Sequence, residues 1–335
     1  MDDSGQEALL DEGLDQTQRQ ALYETWRDNP DLTADEIGSV ADQYQALDDT
    51  AQSNLDGLIE RQGADGATLA RDLESDTLSG LLTCGSTTPS LGSSGASGGV
   101  VSNGQYPVSR EPSLTVDDCT LDTDFLDSVA RYNDEVDDFD AETFAQRYNE
   151  LEGDNERQFR ELTTNDEYGE SWIRTVSSDS VDTEAIREAI SQSDEVGDIL
   201  RFRTATTVNG EFPADYADPY TSDSIVIEFQ TTTERTYYRA HQSDNQMGGF
   251  IAREETVTDS EGNFLTQSEM QDTLSLPESP TRISAVEVPE GYELRVGEVQ
   301  ANFGGSEGAI QIELIGDEYI PSDDYVFIQE LPTDG

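Results

Sequence analysis

Apolar residues change their spacing along this chain, from a helical period to a strand period. Residues 5–82 carry apolar side chains three and four positions apart, which predicts a small bundle of amphipathic helices. The first helix should end near Pro30, because a proline blocks continuation. The TADE motif at Thr33–Glu36 has the capping-box pattern and predicts the start of the next helix. The apolar stripe of that helix would comprise Ile37, Val40, Tyr44 and Leu47.

A helical period returns after residue 121. Two apolar stripes predict helices over residues 122–164, and Asp182 is the expected N-cap of a further helix at 182–193. The stripe residues are Phe125, Val129, Tyr132, Val136, Phe144, Tyr148 and Leu151.

After residue 198 the period becomes two, which is typical of β-strands. The candidate strands read DILRFRTATTV, DSIVIEFQ, RTYYRAHQ, GGFIAREETV, RISAVEVP, YELRVGEVQ, AIQIELI and DYVFIQEL. The TQSE motif at Thr266–Glu269 is a capping box that predicts a short helix, with Met270 and Leu274 on its apolar face. The sequence therefore predicts an α+β fold whose C-terminal domain is compact and mainly β, with one or two helices.

A stretch rich in Gly, Ser, Thr and Pro separates the first helical region from the second. It has almost no charge, which is typical of a flexible linker. The predicted organisation is a helical N-terminal region at 1–83, a linker at 84–116, a helical connecting region at 117–197 and a β-rich domain at 198–335. Cys84 and Cys119 flank the linker without zinc-ligand spacing. A disulfide and two free thiols are both compatible with this arrangement.

The composition is strongly acidic, with 73 Asp and Glu against 18 basic residues and a formal charge of −55. Every basic residue is an arginine. High charge alone would favour disorder, but 13 Tyr, 11 Phe and 2 Trp supply a core. At molar salt the screening length falls to about 3 Å, so a folded protein of a high-salt cytoplasm tolerates such a surface. The lack of a basic patch excludes nucleic acid as a partner.

Neither a signal peptide nor a membrane-spanning segment is expected. The start of the sequence lacks a positive region followed by an apolar stretch, and no apolar run reaches about 18 residues. The acidic clusters DNPD, NDEVDDFD and DSEGN lack the spacing of an EF-hand loop. No metal site is predicted, because His241 is the only histidine. A structural role and a site role are both open for His241.

Two C-terminal stretches could carry chemistry. In TYYRAHQ, Arg239 shares a strand face with Tyr237 and His241, and the turn MGGFIA follows. Arg239 could bind a phosphate through its planar guanidinium, or it could simply solvate an edge strand.

The second stretch is FGGSEGAIQIEL, where Gln311 and Glu313 share one face of a strand. The other face, with Ile310, Ile312 and Leu314, should contribute to the core. Glycines allow a backbone to approach a ligand closely, so this turn could be a ligand edge. The alternative is a hairpin turn before a strand whose outward face is polar.

The order of motifs over residues 230–316 resembles a known family. YYR, a Gly-Gly-Phe turn, LSLPES, VEVPEGYELRVGEV and FGGSEGAIQIEL look like the C-terminal domains of polymorphic toxins, in particular the tuberculosis necrotizing toxin family of NAD glycohydrolases. They also resemble ADP-ribosyltransferase toxins. The turn departs from the glycohydrolase pattern by reading SEGA instead of consecutive glycines, and a Ser-Thr-Ser strand typical of transferases is missing.

The resemblance implies that NAD is the substrate. By analogy, Arg239 would bind its phosphates, Gln311 would be the essential glutamine and Glu313 would match the transferase glutamate. The same analogy places these residues at the NAD-binding surface: Tyr238, His241, Gly249, Phe250, Phe303 and Gly304.

The implied function is a toxin-like effector whose C-terminal domain hydrolyses the nicotinamide–ribose bond of NAD. It would be exported by a non-classical route to act in a target cell, and a cognate immunity protein would neutralise it. An ADP-ribosyltransferase that uses Gln311 and Glu313 is the first alternative. The second is a structural or interaction protein, of haloarchaeal or viral type, without enzyme activity.

Overall fold

The computed structural model describes residues 33–83, 122–136, 139–315 and 320–333, together with positions 16, 19, 20, 23 and 27. The linker at 84–116, the two cysteines and most of the predicted first helix lie outside these residues. The fold is α+β, as the periodicity predicts, with helices first and antiparallel sheets last. The chain divides into two compact units, Met1–Leu126 and Asp127–Gly335.

Helices account for the described part of the first unit. They are α1 (Ala34–Ala46), α2 (Asp49–Gln62), α3 (Ala64–Asp72) and α4 (Ser75–Leu82). Helix α1 begins directly after Thr33, as predicted, and its apolar stripe is buried. The buried Gln43 side chain donates to the carbonyl oxygens of Ala70 (3.1 Å) and Leu73 (3.0 Å), which fixes α1 against the end of α3.

Five more helices precede the sheets. They are α5 (Thr123–Glu135), α6 (Ala141–Asn149), α7 (Asp154–Thr163), α8 (Gly169–Val176) and α9 (Thr183–Ser193). Asp182 caps α9, as predicted, by accepting a hydrogen bond from the Ala185 N–H at 2.8 Å. Trp172 of α8 packs edge-on against Phe159 (5.3 Å between ring centroids) and Phe202 (4.8 Å). This aromatic core joins the helices to the first strand.

The strands form two antiparallel sheets. They are β1 (Asp198–Thr204), β2 (Ile225–Gln230), β3 (Arg235–His241), β4 (Phe250–Ile251), β5 (Arg282–Val288), β6 (Glu293–Glu298), β7 (Ile310–Leu314) and β8 (Tyr325–Glu330). The larger sheet has the order β1-β2-β6-β7-β4, and the smaller has the order β3-β5-β8. Each candidate strand therefore contains a strand of the structure.

Two candidate strands are shorter than the period suggests and continue as helices. The TATTV end of the first becomes α10 (Ala205–Asn209), because the Thr204 hydroxyl caps it by accepting from the Thr207 N–H. Strand β4 has two residues and leads into α11 (Glu254–Val257). The capping box at Thr266 begins α12 (Gln267–Thr273), as predicted. Among the described residues, three short α-helices and a 3₁₀-helix (Ser322–Asp324) thus accompany the strands, where one or two helices were expected.

Candidate functional site

A row of polar side chains crosses one face of the larger sheet. The strand register places these residues directly opposite one another on neighbouring strands, and positive and negative side chains alternate from β1 to β7. The row consists of Arg201, Glu228, Arg295 and Glu313, and the apolar Phe250 lies next to Glu313 at its end. Residues 205–220 cover this face through contacts of Phe212 with Arg295, of Pro219 with Gln311 and of Tyr220 with Glu313, so the polar side of β7 does not point into solvent.

Glu313 is held inside this row. Its Oε2 accepts from Arg295 Nε at 2.6 Å and from the Tyr220 hydroxyl at 3.1 Å. The Glu313 and Arg295 side chains are only 12% and 8% exposed. Burial acts to lower the pKa of Arg295, but its bonds to Glu313 and then Glu211 outweigh burial and raise the pKa. The negative charge of Glu313 is therefore balanced by the ion pair with Arg295.

Gln311 lies beside Glu313 on the same face and is 8% exposed. Its Nε2 donates to the Pro219 carbonyl at 2.9 Å. Because a carbonyl only accepts, this bond fixes which way the amide points. The Oε1 atom receives no hydrogen bond from any residue that the structure describes. Asn209 anchors the covering segment through two bonds to the Tyr220 backbone, at 2.7 and 3.2 Å, and so positions the Pro219 carbonyl.

Gln311 lines a cavity of about 270 Å³. Three aromatic side chains, those of Tyr216, Phe250 and Phe303, share its wall with amide and hydroxyl groups. The remaining lining residues are Asp215, Ala217, Pro219, Leu274, Ser275, Leu276, Pro277, Val299, Gln300 and Asn302. The LSLPES and FGGSEG motifs therefore meet at one cavity, although the sequence separates them by more than twenty residues.

Phe303 sits at this cavity with an unusual backbone. It is 60% exposed and has a φ of 51°, a region that non-glycine residues rarely adopt. Gly304 continues the turn with a φ of 84°, and a Cβ on Gly305 would lie 2.6 Å from the Ser275 hydroxyl. The glycines thus allow the turn to approach Ser275 and hold Phe303 at the mouth of the cavity.

Arg239 does not line the cavity, but it contacts the backbone of Phe250, which does. Its guanidinium packs on Gly248 and donates to the backbone carbonyls of Gln246 (3.0 Å), Met247 (3.3 Å) and Phe250 (2.9 Å). Among the residues that the structure describes, no carboxylate forms an ion pair with Arg239. Burial lowers its pKa. Arg239 thus organises the loop before β4, and its positive charge is not neutralised by any acid of the described residues.

Tyr216 connects these groups electrostatically. Burial raises the pKa of its hydroxyl, Glu313 raises the pKa further and Arg239 lowers it. The Tyr216 hydroxyl therefore lies within electrostatic range of both side chains. Its ring also stacks on Phe212, with centroids 5.3 Å apart.

The other predicted site residues lie away from the cavity lining. Tyr238 points to the opposite face of β3 and packs against Phe264, with ring centroids 5.7 Å apart. Gly249 contributes its carbonyl, which accepts from the Leu314 N–H at 2.8 Å. The structure thus brings Gln311, Phe250 and Phe303 together, places Glu313 and Arg239 nearby, and leaves Tyr238 in a core cluster.

His241 is a satisfied, buried histidine. Its Nδ1 lies 2.6 Å from the Gln242 carbonyl and must donate to it, so Nε2 accepts from the Ser284 hydroxyl at 2.9 Å. Burial lowers the pKa of His241, which favours this neutral form. Both ring nitrogens are occupied by structural hydrogen bonds.

A second cavity, of about 500 Å³, is strongly acidic. Its carboxylates belong to Asp182, Glu184, Glu188, Asp223, Glu298 and Glu307. Burial, and then the neighbouring carboxylates, raise the pKa of Glu298. This cavity would repel a phosphate-bearing ligand.

Sequence reasoning did not identify Tyr216, Tyr220, Arg295 or Asn302 as part of the site. The available signal was the aromatic content of 212–220, but only the fold brings that segment over β7. Within the described residues, no group of three or more His, Cys, Asp or Glu is arranged to hold a metal ion. Likewise, no described helix has both the length and the apolar character needed to cross a membrane. No protein-family model matches this chain, and comparisons with curated proteins and with solved structures found no match.

Proposed function

We propose that the chain is a toxin-like effector whose second unit hydrolyses NAD, and that the Gln311 cavity holds the nicotinamide–ribose end. The observation that carries this proposal is the fixed Gln311 amide, which lines an aromatic cavity with its Oε1 unpartnered. The LSLPES and FGGSEGAIQIEL motifs, which contribute to the cavity lining, are among those that resemble NAD glycohydrolases.

The size and lining of the cavity support this ligand. Its volume of about 270 Å³ lies below the usual range of roughly 300–1,000 Å³ for whole drug-sized ligands, so one end of a dinucleotide would enter it. The nicotinamide ring of NAD⁺ is planar and cationic, and the faces of Tyr216, Phe250 and Phe303 attract such a ring. The amides of Gln311 and Asn302 supply directional hydrogen bonds.

The charge distribution supports the orientation. Arg239 has five N–H donors, three of which serve backbone carbonyls, and its charge is not neutralised by an acid of the described chain. Arg239 does not line the cavity, so its proposed role is to attract the diphosphate by its charge. The acidic cavity of the same unit would instead repel the diphosphate.

The proposed reaction is dissociative. The bond between the ribose anomeric carbon and the nicotinamide nitrogen breaks, and its electron pair neutralises the departing nicotinamide. Gln311 Oε1 stabilises the oxocarbenium-like ribosyl cation, a form of electrostatic preorganisation. Water then attacks that carbon and releases a proton, which gives ADP-ribose. Glu313 supports this step indirectly, because Arg295 and Tyr220 already occupy its Oε2.

Paired variants locate the activity. Gln311→Ala should lower NAD turnover in multimolar KCl by about 100-fold or more, the effect of losing one stabilising dipole. Gln230→Ala is the matched control, because Gln230 also donates to a backbone carbonyl (2.9 Å to Gly291) but does not line the cavity. Equal activity of the two variants would remove Gln311 from the mechanism.

Product analysis separates the alternatives. Transfer of ADP-ribose to protein, abolished by Glu313→Gln alone, would indicate a transferase. Intact NAD with a folded protein would favour a structural or interaction protein. The proposal also includes a cognate immunity protein that covers the cavity, and its binding should be weakened by Phe303→Ala.

A further inference from the structure

The edges of the two sheets differ in how they are protected. An edge strand presents unpaired backbone groups and is usually blunted by charge, by shortness or by a covering segment. Strand β1 carries Arg201 and Arg203, and β4 has only two residues. The edge of β3 is bridged by Ala252, which exchanges two backbone hydrogen bonds of 2.8 Å with Tyr238. Among the described residues, no segment covers the outer edge of β8, and Glu330 at its end is its only charged side chain.

Three consecutive apolar side chains of the six-residue strand β8 are exposed. Val326, Phe327 and Ile328 are 53%, 49% and 39% exposed. In the described part of the chain, no backbone group outside the sheet forms a hydrogen bond with residues 326–330. Such an edge is a template for strand addition.

A bulge sets which side chains of β8 share a face. Ile328 has no partner on β5, so the register shifts by one residue there. As a result, Phe327 and Glu330 lie on the same face, where Arg282 covers the Phe327 ring (5.4 Å) and pairs with Glu330 (2.9 Å). Tyr325 lies on this face too, two residues before Phe327.

The opposite face carries Val326 and Gln329, which pair with Ala285 and Ile283 of β5. This pattern is symmetric about the centre of the strand. If two copies of β8 run antiparallel about the bond between Phe327 and Ile328, Tyr325 meets Glu330 of the copy and Val326 meets Gln329. The residues within each of these two pairs then share a face. A shift of one residue in either direction would bring side chains from opposite faces together.

We propose that β8 is the interface of a two-fold symmetric dimer, in which the smaller sheets of two copies join into one six-stranded antiparallel sheet. Charge is compatible with this register, since Glu330 faces Tyr325 and Asp324 faces Leu331, so no carboxylate faces another. At the centre, Phe327 would lie opposite Ile328, the unpaired residue of the bulge. Such an interface is isologous and therefore closes at two copies.

The interface is small, so the dimer dissociates easily. One strand pair buries less than a standard interface, and a dissociation constant on the order of 10⁻⁴ M is expected. The net charge of −55 per chain repels at low ionic strength. Dimerisation should therefore require molar salt, at which the screening length is about 3 Å.

Sedimentation equilibrium of the full chain in multimolar KCl tests the proposal. The variant Ile328→Lys is compared with Leu200→Lys, because Leu200 is also the unpaired residue of a bulge on an edge strand and is 40% exposed. Both changes add one lysine to an acidic chain, so neither increases the net repulsion.

We expect a concentration-dependent monomer–dimer equilibrium that Leu200→Lys preserves and Ile328→Lys weakens at least tenfold, while both variants keep the melting temperature of the monomer. The proposal is overturned by a wild-type chain that remains monomeric up to about ten times the expected dissociation constant. It is equally overturned if both lysine variants dimerise alike, or if the chain forms open-ended oligomers. Amide hydrogen exchange adds a direct readout, because protection of residues 326–330 should rise with protein concentration.

Discussion

Replacing Arg295 with methionine should destabilise the second unit strongly. The Arg295 side chain is 8% exposed and donates to Glu313 at 2.6 Å and to Glu211 at 3.1 Å. Methionine fills a similar volume, but it leaves the 12% exposed Glu313 carboxylate with the Tyr220 hydroxyl alone. Removal of one partner of a buried ion pair costs about 3–5 kcal/mol.

Replacing Glu313 instead of Arg295 should lower the free energy of unfolding by a smaller amount. Glu313→Gln leaves Arg295 with Glu211, which is 48% exposed and keeps solvent access. We expect a loss of about 2 kcal/mol, because a partner remains. The double variant replaces both charges, so its loss should be smaller than the sum of the single losses by about 2 kcal/mol or more.

Urea unfolding in multimolar KCl measures these free energies, and buried pairs are little screened by the salt. Arg157→Met is the control, since the ion pair of Arg157 with Glu161 is exposed (51% and 63%) and its loss should change stability little. Additive losses at Arg295 and Glu313 would refute the account, because they would show that the two charges do not depend on each other.

Three further substitutions test other parts of the structure. Gly248→Ala should displace the Arg239 guanidinium, which packs on that glycine, and lower NAD turnover with a stability loss of only about 1–2 kcal/mol; unchanged turnover would separate Arg239 from the site. Gly297→Ala would place a Cβ 2.7 Å from a Tyr220 ring carbon, so a loss of about 1–3 kcal/mol in urea unfolding is expected, and a neutral result would show that the ring moves freely. Burial, and then Glu60, raise the pKa of Asp56 from 3.8 to about 6. Because the pKa of Asp56 is higher in the folded state, its protonation stabilises the fold. This contribution is complete below pH 3.8 and is lost as pH rises through 6. Asp56→Asn should therefore raise the melting temperature at pH values above about 7, and this gain should shrink as pH falls towards 5; a constant difference would contradict the pKa shift.

Much of the fold follows from local rules that the sequence displays. The helical stripe of α1, the Asp182 cap and the capping box at Thr266 depend on neighbours within four residues, so they can be predicted without tertiary structure. The same holds for the alternation of β7, which correctly places Gln311 and Glu313 on one face.

The environment of that face could not be predicted. Alternation shows that Glu313 shares a face with Gln311, but whether the face is wet depends on a segment ninety residues earlier in the chain. Tyr220 and Pro219 reach β7 through non-local contacts, and the pairing of Glu313 with Arg295 depends on strand register. Neither has a signature in the local sequence.

Helix α10 shows a second limit. The TATTV stretch has strong β-formers, yet Thr204 caps a helical turn there, because its hydroxyl competes for the backbone N–H groups. Propensity alone cannot decide between these outcomes at a strand end.

The most direct test of the proposed activity is proton NMR of NAD incubated with the purified full chain in multimolar KCl. The account predicts that NAD signals decay while nicotinamide and ADP-ribose appear in equal amounts, and that Gln311→Ala slows this decay by about 100-fold or more. Unchanged NAD in the presence of chain that unfolds cooperatively in the same buffer would contradict it.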